Sequence, residues 1–132
     1  MKKTLLLAIC VAGFATAFAQ TADTTVKFTV TTHDFGELLQ SNGPQTYAFE
    51  FTNAGTEPVL IQDVRPSCGC TTPGWTKEPV EPGQTGVVQA TYNAASVGPF
   101  NKSLTVTTSG TPGTVILYIK GKVIGGEAAQ AE

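Results

Sequence analysis

Two cysteines separated by one glycine, Cys68-Gly69-Cys70, stand in the stretch RPSCGCTTPGW, five residues before the only tryptophan, Trp75. Two thiols at this spacing admit three chemistries. They can close a disulfide, they can hold a soft ion, or they can pack as small apolar side chains. In a fully extended strand, residues two apart are separated by about 6.6 Å, at the edge of the range a disulfide tolerates, and Gly69 can bend the backbone to shorten that distance. The gain in stability from so small a loop is only ~1.6 kcal/mol in the loop-entropy picture. A disulfide here would therefore serve as a structural pairing or as an exchangeable redox pair. Two thiolates on one turn suit Cu(I), whereas a closed zinc site needs four ligands and the chain adds only His33 to them. Copper is the only cofactor these residues suggest, and otherwise none is expected. Packing is the weaker reading, because Pro66, Ser67, Thr71, Thr72, Pro73 and Gly74 make this a surface segment. Arg65 and Lys77 lie nearby in sequence and would favour thiolates if near in space. Together with Trp75, which can cover the core or present a platform, they form a candidate interaction surface.

The other chemistry-bearing residues are few. His33 is the only histidine, so a hydrolase triad would have to use it, and no G-x-S-x-G elbow accompanies it. The letters Asp34-Phe35-Gly36 match a kinase motif by accident, since the Gly-rich loop and the catalytic loop are absent. Asp34 and Glu37, three apart, are a carboxylate pair of the kind acid–base chemistry uses, and they read as solvated turn residues. Asn101-Lys102-Ser103 matches a glycosylation sequon and reads as ordinary strand sequence. No catalytic residue is assigned, and the chain is expected not to be an enzyme.

The N-terminus supplies an address. Lys2 and Lys3 precede an apolar run from Leu5 to Phe18, and Ala17-Phe18-Ala19 forms an A-x-A cleavage site. Residues 1–19 read as a signal peptide, which implies a periplasmic or secreted protein with no transmembrane segment in the mature chain. Lipidation at Cys10 is disfavoured by the bulky Ile9 before it and the short apolar run. Cleavage leaves Gln20 to Glu132, one domain's length, and lowers the formal charge from −2 to −4. With no basic cluster, a grip on nucleic-acid phosphates is excluded.

The rest of the chain must position these groups, and it reads as strands. Val26, Phe28 and Val30 alternate with polar residues, as do Tyr47, Phe49 and Phe51. Val87, Val88, Ala90 and Tyr92 form a third run and Leu104 with Val106 a fourth. In the last, Val115, Leu117, Ile119, Gly121 and Val123 share a face opposite Ile116, Tyr118 and Lys120. Clusters of Gly, Pro and Asn separate the runs, with Asn53 and Gly55 shaping one turn. The pattern predicts an all-β immunoglobulin-like sandwich of about seven strands over residues 20–124, with 125–132 as a flexible tail. Its short Thr-rich strands offer edges to which a partner strand could add.

The successive blocks His33-Asp34-Phe35-Gly36, Phe49-x-Phe51-x-Asn53-x-Gly55, Ser67-Cys68-Gly69-Cys70-Thr71, Pro82-Gly83 and Leu117-x-Ile119-Lys120-Gly121-x-Val123 resemble, in order, the bacterial domain of unknown function 1573 family. That family is similar to hydin-like and major-sperm-protein-like immunoglobulin folds. The resemblance spans about Val26 to Val123 and implies an exported domain of that fold acting as an interaction module with a protein partner. It implies no activity.

Overall fold

The computed structural model describes residues 24–125, so the signal-peptide reading of residues 1–19 and all but the first residue of the predicted tail lie outside the described residues. Eight strands follow in chain order: β1 (Val26–Phe28), β2 (Thr32–Leu39), β3 (Gln45–Asn53), β4 (Ile61–Pro66), β5 (Thr71–Trp75), β6 (Thr85–Tyr92), β7 (Gly98–Thr108) and β8 (Thr114–Ile124). They form two four-stranded sheets, ordered β1-β3-β6-β5 and β2-β8-β7-β4. This is the all-β immunoglobulin-like sandwich the alternation predicts, with eight strands where about seven are expected.

The difference arises in the first run. Val26 is buried, and β1 pairs antiparallel with β3, matching Val26 to Asn53. Val30, expected on the inner face, is exposed and outside any strand, because the chain crosses there from one sheet to the other. It resumes as β2, which runs parallel to β8, with Thr32 opposite Tyr118 and Leu39 opposite Ile124. The run from Val26 to Val30 thus supplies one edge strand and the crossing, and the edge strand of the other sheet, β2, follows it.

Between the sheets, Phe49, Phe51, Val88, Ala90, Leu104, Val106, Leu117, Ile119 and Val123 are fully buried. Aromatic rings continue this core toward one end of the sandwich. Tyr92 stacks on Phe100, Phe100 meets Phe35, and His33 lies edge-on to Phe35 while stacking on Tyr47, with ring centroids 3.6 Å apart. Tyr47 in turn meets Phe49 edge-on. Glycines make room where β2 crowds β8. A Cβ on Gly121 would stand 2.8 Å from the Gly36 carbonyl, and Gly36 itself adopts φ +68° at a register shift between Asp34 and Glu37. That left-handed conformation is one that Gly accepts without strain.

Asn53, fully buried, organises the far end. Its side-chain amide donates to the carbonyls of Glu57 (2.7 Å) and Val80 (2.8 Å), and its side-chain oxygen accepts the Gly55 amide (2.9 Å). Its own backbone bonds Gln84 and Gly83. Val59 and Val80 pair across this knot as an isolated bridge.

Replacing Asn53 with Ala takes the side-chain partner from the Glu57 carbonyl and the Gly55 amide, and one of two donors from the Val80 carbonyl, which keeps the Val59 amide. Each part-buried group left unpaired costs about 1–3 kcal/mol. The expected outcome is a fall in the urea midpoint equivalent to roughly 2–5 kcal/mol at unchanged m-value. Gly121→Ala forces the β2 bulge outward and is expected to cost about 1–3 kcal/mol in the same measurement.

Candidate functional site

The CGC segment forms the turn by which the chain leaves β4 in one sheet and enters β5 in the other. Both ends of the turn are tied to neighbouring strands. The Ser67 amide donates to the Ser103 carbonyl (2.8 Å), and the Ser103 amide donates to the Ser67 hydroxyl (3.1 Å). Beyond the turn, the Asn93 amide donates to the Cys70 carbonyl (2.9 Å).

Between these ties the two cysteine sulfurs lie together as a disulfide pair, with Cα atoms 5.3 Å apart, well inside the span of an extended strand. The pair is asymmetric. Cys70 packs against the hydrophobic core, whereas the Cys68 sulfur receives the Cys70 amide (3.3 Å) and lies 4.0 Å from the Thr71 hydroxyl. Gly69, between them, is exposed, and a Cβ there would meet nothing within 4 Å.

Arg65, Trp75 and Lys77 do not converge on the cysteines. The Arg65 side chain, 82% exposed, donates to the Asp63 carboxylate at 2.7 Å. Trp75 closes the far end of β5 and packs partly against the core. The Lys77 ammonium caps its ring at 3.1 Å from the centroid, so both side chains are engaged with each other. The contacts of both cations are thus with Asp63 and Trp75. Among the described residues no group of three or more His, Cys, Asp or Glu side chains could hold a metal ion.

Asp34, paired in register with Lys120, receives the Gly36 amide at 2.8 Å and so shapes the bulge. With Lys120 and Lys122 it borders an open depression over Gly36 and Gly121. His33, stacked on Tyr47, serves as one more ring in the aromatic series.

One surface escaped the sequence reading. On the outer face of β8, Ile116 is 45% and Tyr118 41% exposed, and the two stand side by side. Around them lie Thr105 and Ser103 of β7 and Thr32 of β2. The alternation already put both on the outer face, and two large apolar residues facing water in succession was the available signal.

The sheet edges, by contrast, are guarded. β1 has three residues, and Thr111 accepts the amides of Thr25 and Val26 beside it. β5 carries Pro73, which has no amide hydrogen to offer. β2 is broken at its bulge, and β4 by a register shift between Ile61 and Asp63 and by Pro66 at its end. Short length, prolines, bulges and edge charges are how natural sheets discourage added strands. The expected strand addition at an edge is thus poorly served.

Comparison with known proteins agrees with this architecture. A family profile described as "Protein of unknown function (DUF1573)" matches residues 26–123. No curated protein matches. The fold is similar to the ASH/PapD-like domain 7 of human CEP192 (TM-score 0.66, 13% identity, covering 90% of this chain and 99% of that one). It is also similar to a protein of unknown function from Porphyromonas gingivalis W83 (TM-score 0.65, 16% identity, 79% of this chain), of which it spans 50%. The YadV chaperone is a third neighbour (TM-score 0.57, 11% identity, covering 75% of this chain and 52% of that one). At these identities the likeness is one of fold.

With its ends tied to Ser103 and Asn93, the CGC turn should keep its shape without the sulfur link. The double variant Cys68→Ser, Cys70→Ser is expected to fold and to lose no more than about 2 kcal/mol, the scale of closing so short a loop. Denaturant unfolding of the variant beside the parent chain checks this.

Proposed function

The chain belongs to the DUF1573 family, and on that premise we propose that it is an exported, non-enzymatic module of the cell envelope that binds another protein through the outer face of its β2-β8-β7-β4 sheet. The observation that carries this reading is the exposed pair Ile116 and Tyr118 at the centre of that face, ringed by hydroxyl side chains. A large aromatic beside an aliphatic residue, rimmed by small polar groups, is the composition of an interface centre.

Three further points support it. The only histidine is packed as one ring of the aromatic series, stacked on Tyr47. The guarded edges leave a face, rather than an added strand, as the means of contact. The fold is shared with an ASH/PapD-like domain and with a chaperone. Export rests on the Lys2-Lys3 start, the apolar run and the A-x-A site.

The test is capture from a native envelope extract with the parent chain, with Ile116→Ser, Tyr118→Ser, and with Glu50→Ala on the opposite sheet as control. Recovery of a stoichiometric partner by the parent and the control, reduced at least about tenfold by the double variant, is expected for an anchor of this size. No partner, or equal recovery by all three, would sink the reading.

A further inference from the structure

We infer that the CGC turn is a thiol–disulfide exchange site, with Cys68 as the sulfur that meets an external dithiol and Cys70 as the resolving sulfur. The inference stands apart from the docking face and rests on three observations.

The first is that the sulfur link is redundant for shape. Ser67 is fixed to Ser103 by two hydrogen bonds and Cys70 to Asn93 by one, so both flanks of the turn are held whether or not the sulfurs are joined. After reduction the two thiols stay close, and closing them again is an intramolecular step between groups already in place.

The second is the asymmetry of the pair. Cys70 is packed on the core, and Cys68 is the sulfur to which the backbone delivers a hydrogen bond, from the Cys70 amide at 3.3 Å. A donated amide favours a sulfur that carries negative charge, so Cys68 is the better thiolate.

The third is the open approach. Gly69 lies on the surface with nothing within 4 Å of where a Cβ would stand, and it has no positive φ that would require glycine. Neither the turn nor its packing needs a glycine there, whereas a reagent approaching the sulfurs benefits from its missing side chain.

The exchange balances as a two-electron transfer from a dithiol. Its first thiolate attacks the Cys68 sulfur, forming a mixed disulfide and breaking the Cys68–Cys70 bond. Cys70 departs as a thiolate and takes up a proton. The dithiol's second thiolate then attacks its own bonded sulfur and closes a disulfide on the reagent. Cys68 is released as the thiolate that the Cys70 amide stabilises. The reagent is oxidised, and the cystine is reduced to two cysteines.

The experiment uses protein isolated from the cell without reductant and equilibrated with mixtures of reduced and oxidised dithiothreitol. Samples are quenched in acid and alkylated, and the alkyl groups are counted on the peptide carrying Cys68 and Cys70. Expected are a single step in which both cysteines convert together and an amide NMR spectrum whose signals outside residues 67–71 do not shift across it. With glutathione disulfide, Cys70→Ser should form a mixed disulfide through Cys68 at least about tenfold faster than Cys68→Ser does through Cys70, following access and thiolate character. Three results would overturn the inference. One is a pair that resists dithiothreitol concentrations sufficient to reduce the free peptide Ser67–Thr71. Another is loss of the native spectrum on reduction. The third is equal or reversed rates in the two single variants.

Discussion

Asn53 is the residue on which this sandwich most depends. It ends the longest inner strand of the first sheet, and a buried strand end leaves backbone groups that must find partners away from water. One side-chain amide meets that need three times, on the carbonyls of Glu57 and Val80 and the amide of Gly55. The loop that leads into β4 and the turn that leads into β6 are thereby held to the same point, although they belong to different sheets. Among the described residues no buried side-chain nitrogen or oxygen lacks a partner. With that end closed, the aromatic series from Phe49 through Tyr47, His33, Phe35 and Phe100 to Tyr92 can fill the other.

The two ends of the sandwich differ in how they are sealed. The Asn53 end relies on directional hydrogen bonds, and the opposite end on ring contacts that spread over several strands. The exposed face of β8 lies outside both arrangements, and the CGC turn meets the core only through Cys70. A polar knot and an aromatic plug fix the frame on which the turn and the exposed face are carried. Active surfaces are commonly borne in this way, on loops and faces set by a rigid scaffold.

Much of this was legible in the sequence because period-two alternation reports burial directly. Leu117, Ile119 and Val123 were placed correctly by it, as were Phe49 and Phe51. The role of Asn53 was visible only as a turn signal, since the carbonyls it serves come from residues up to 27 positions away. Val30 was misplaced because alternation cannot tell where a chain changes sheets. The proximity of Cys68 and Cys70 followed from their spacing, but the packing of Cys70 on the core did not. Lys77 and Arg65 looked available to the thiols because sequence neighbours say nothing of direction. Strand direction sent Lys77 to the Trp75 ring, and Arg65 found Asp63 two residues away on its own strand.

The parallel pairing of β2 with β8 bears on how the domain carries load. Thr32 lies beside Tyr118 and Leu39 beside Ile124, so the chain enters this pair at one end and leaves it at the other. A pull on the two ends of the described chain first strips β1, whose three residues offer little resistance. It then draws β2 and β8 lengthwise past each other. Every hydrogen bond along that ladder is strained at once, instead of opening one after another as in a hairpin pulled apart from its free ends. The parallel pair therefore resists a lengthwise pull more than a hairpin of the same length would.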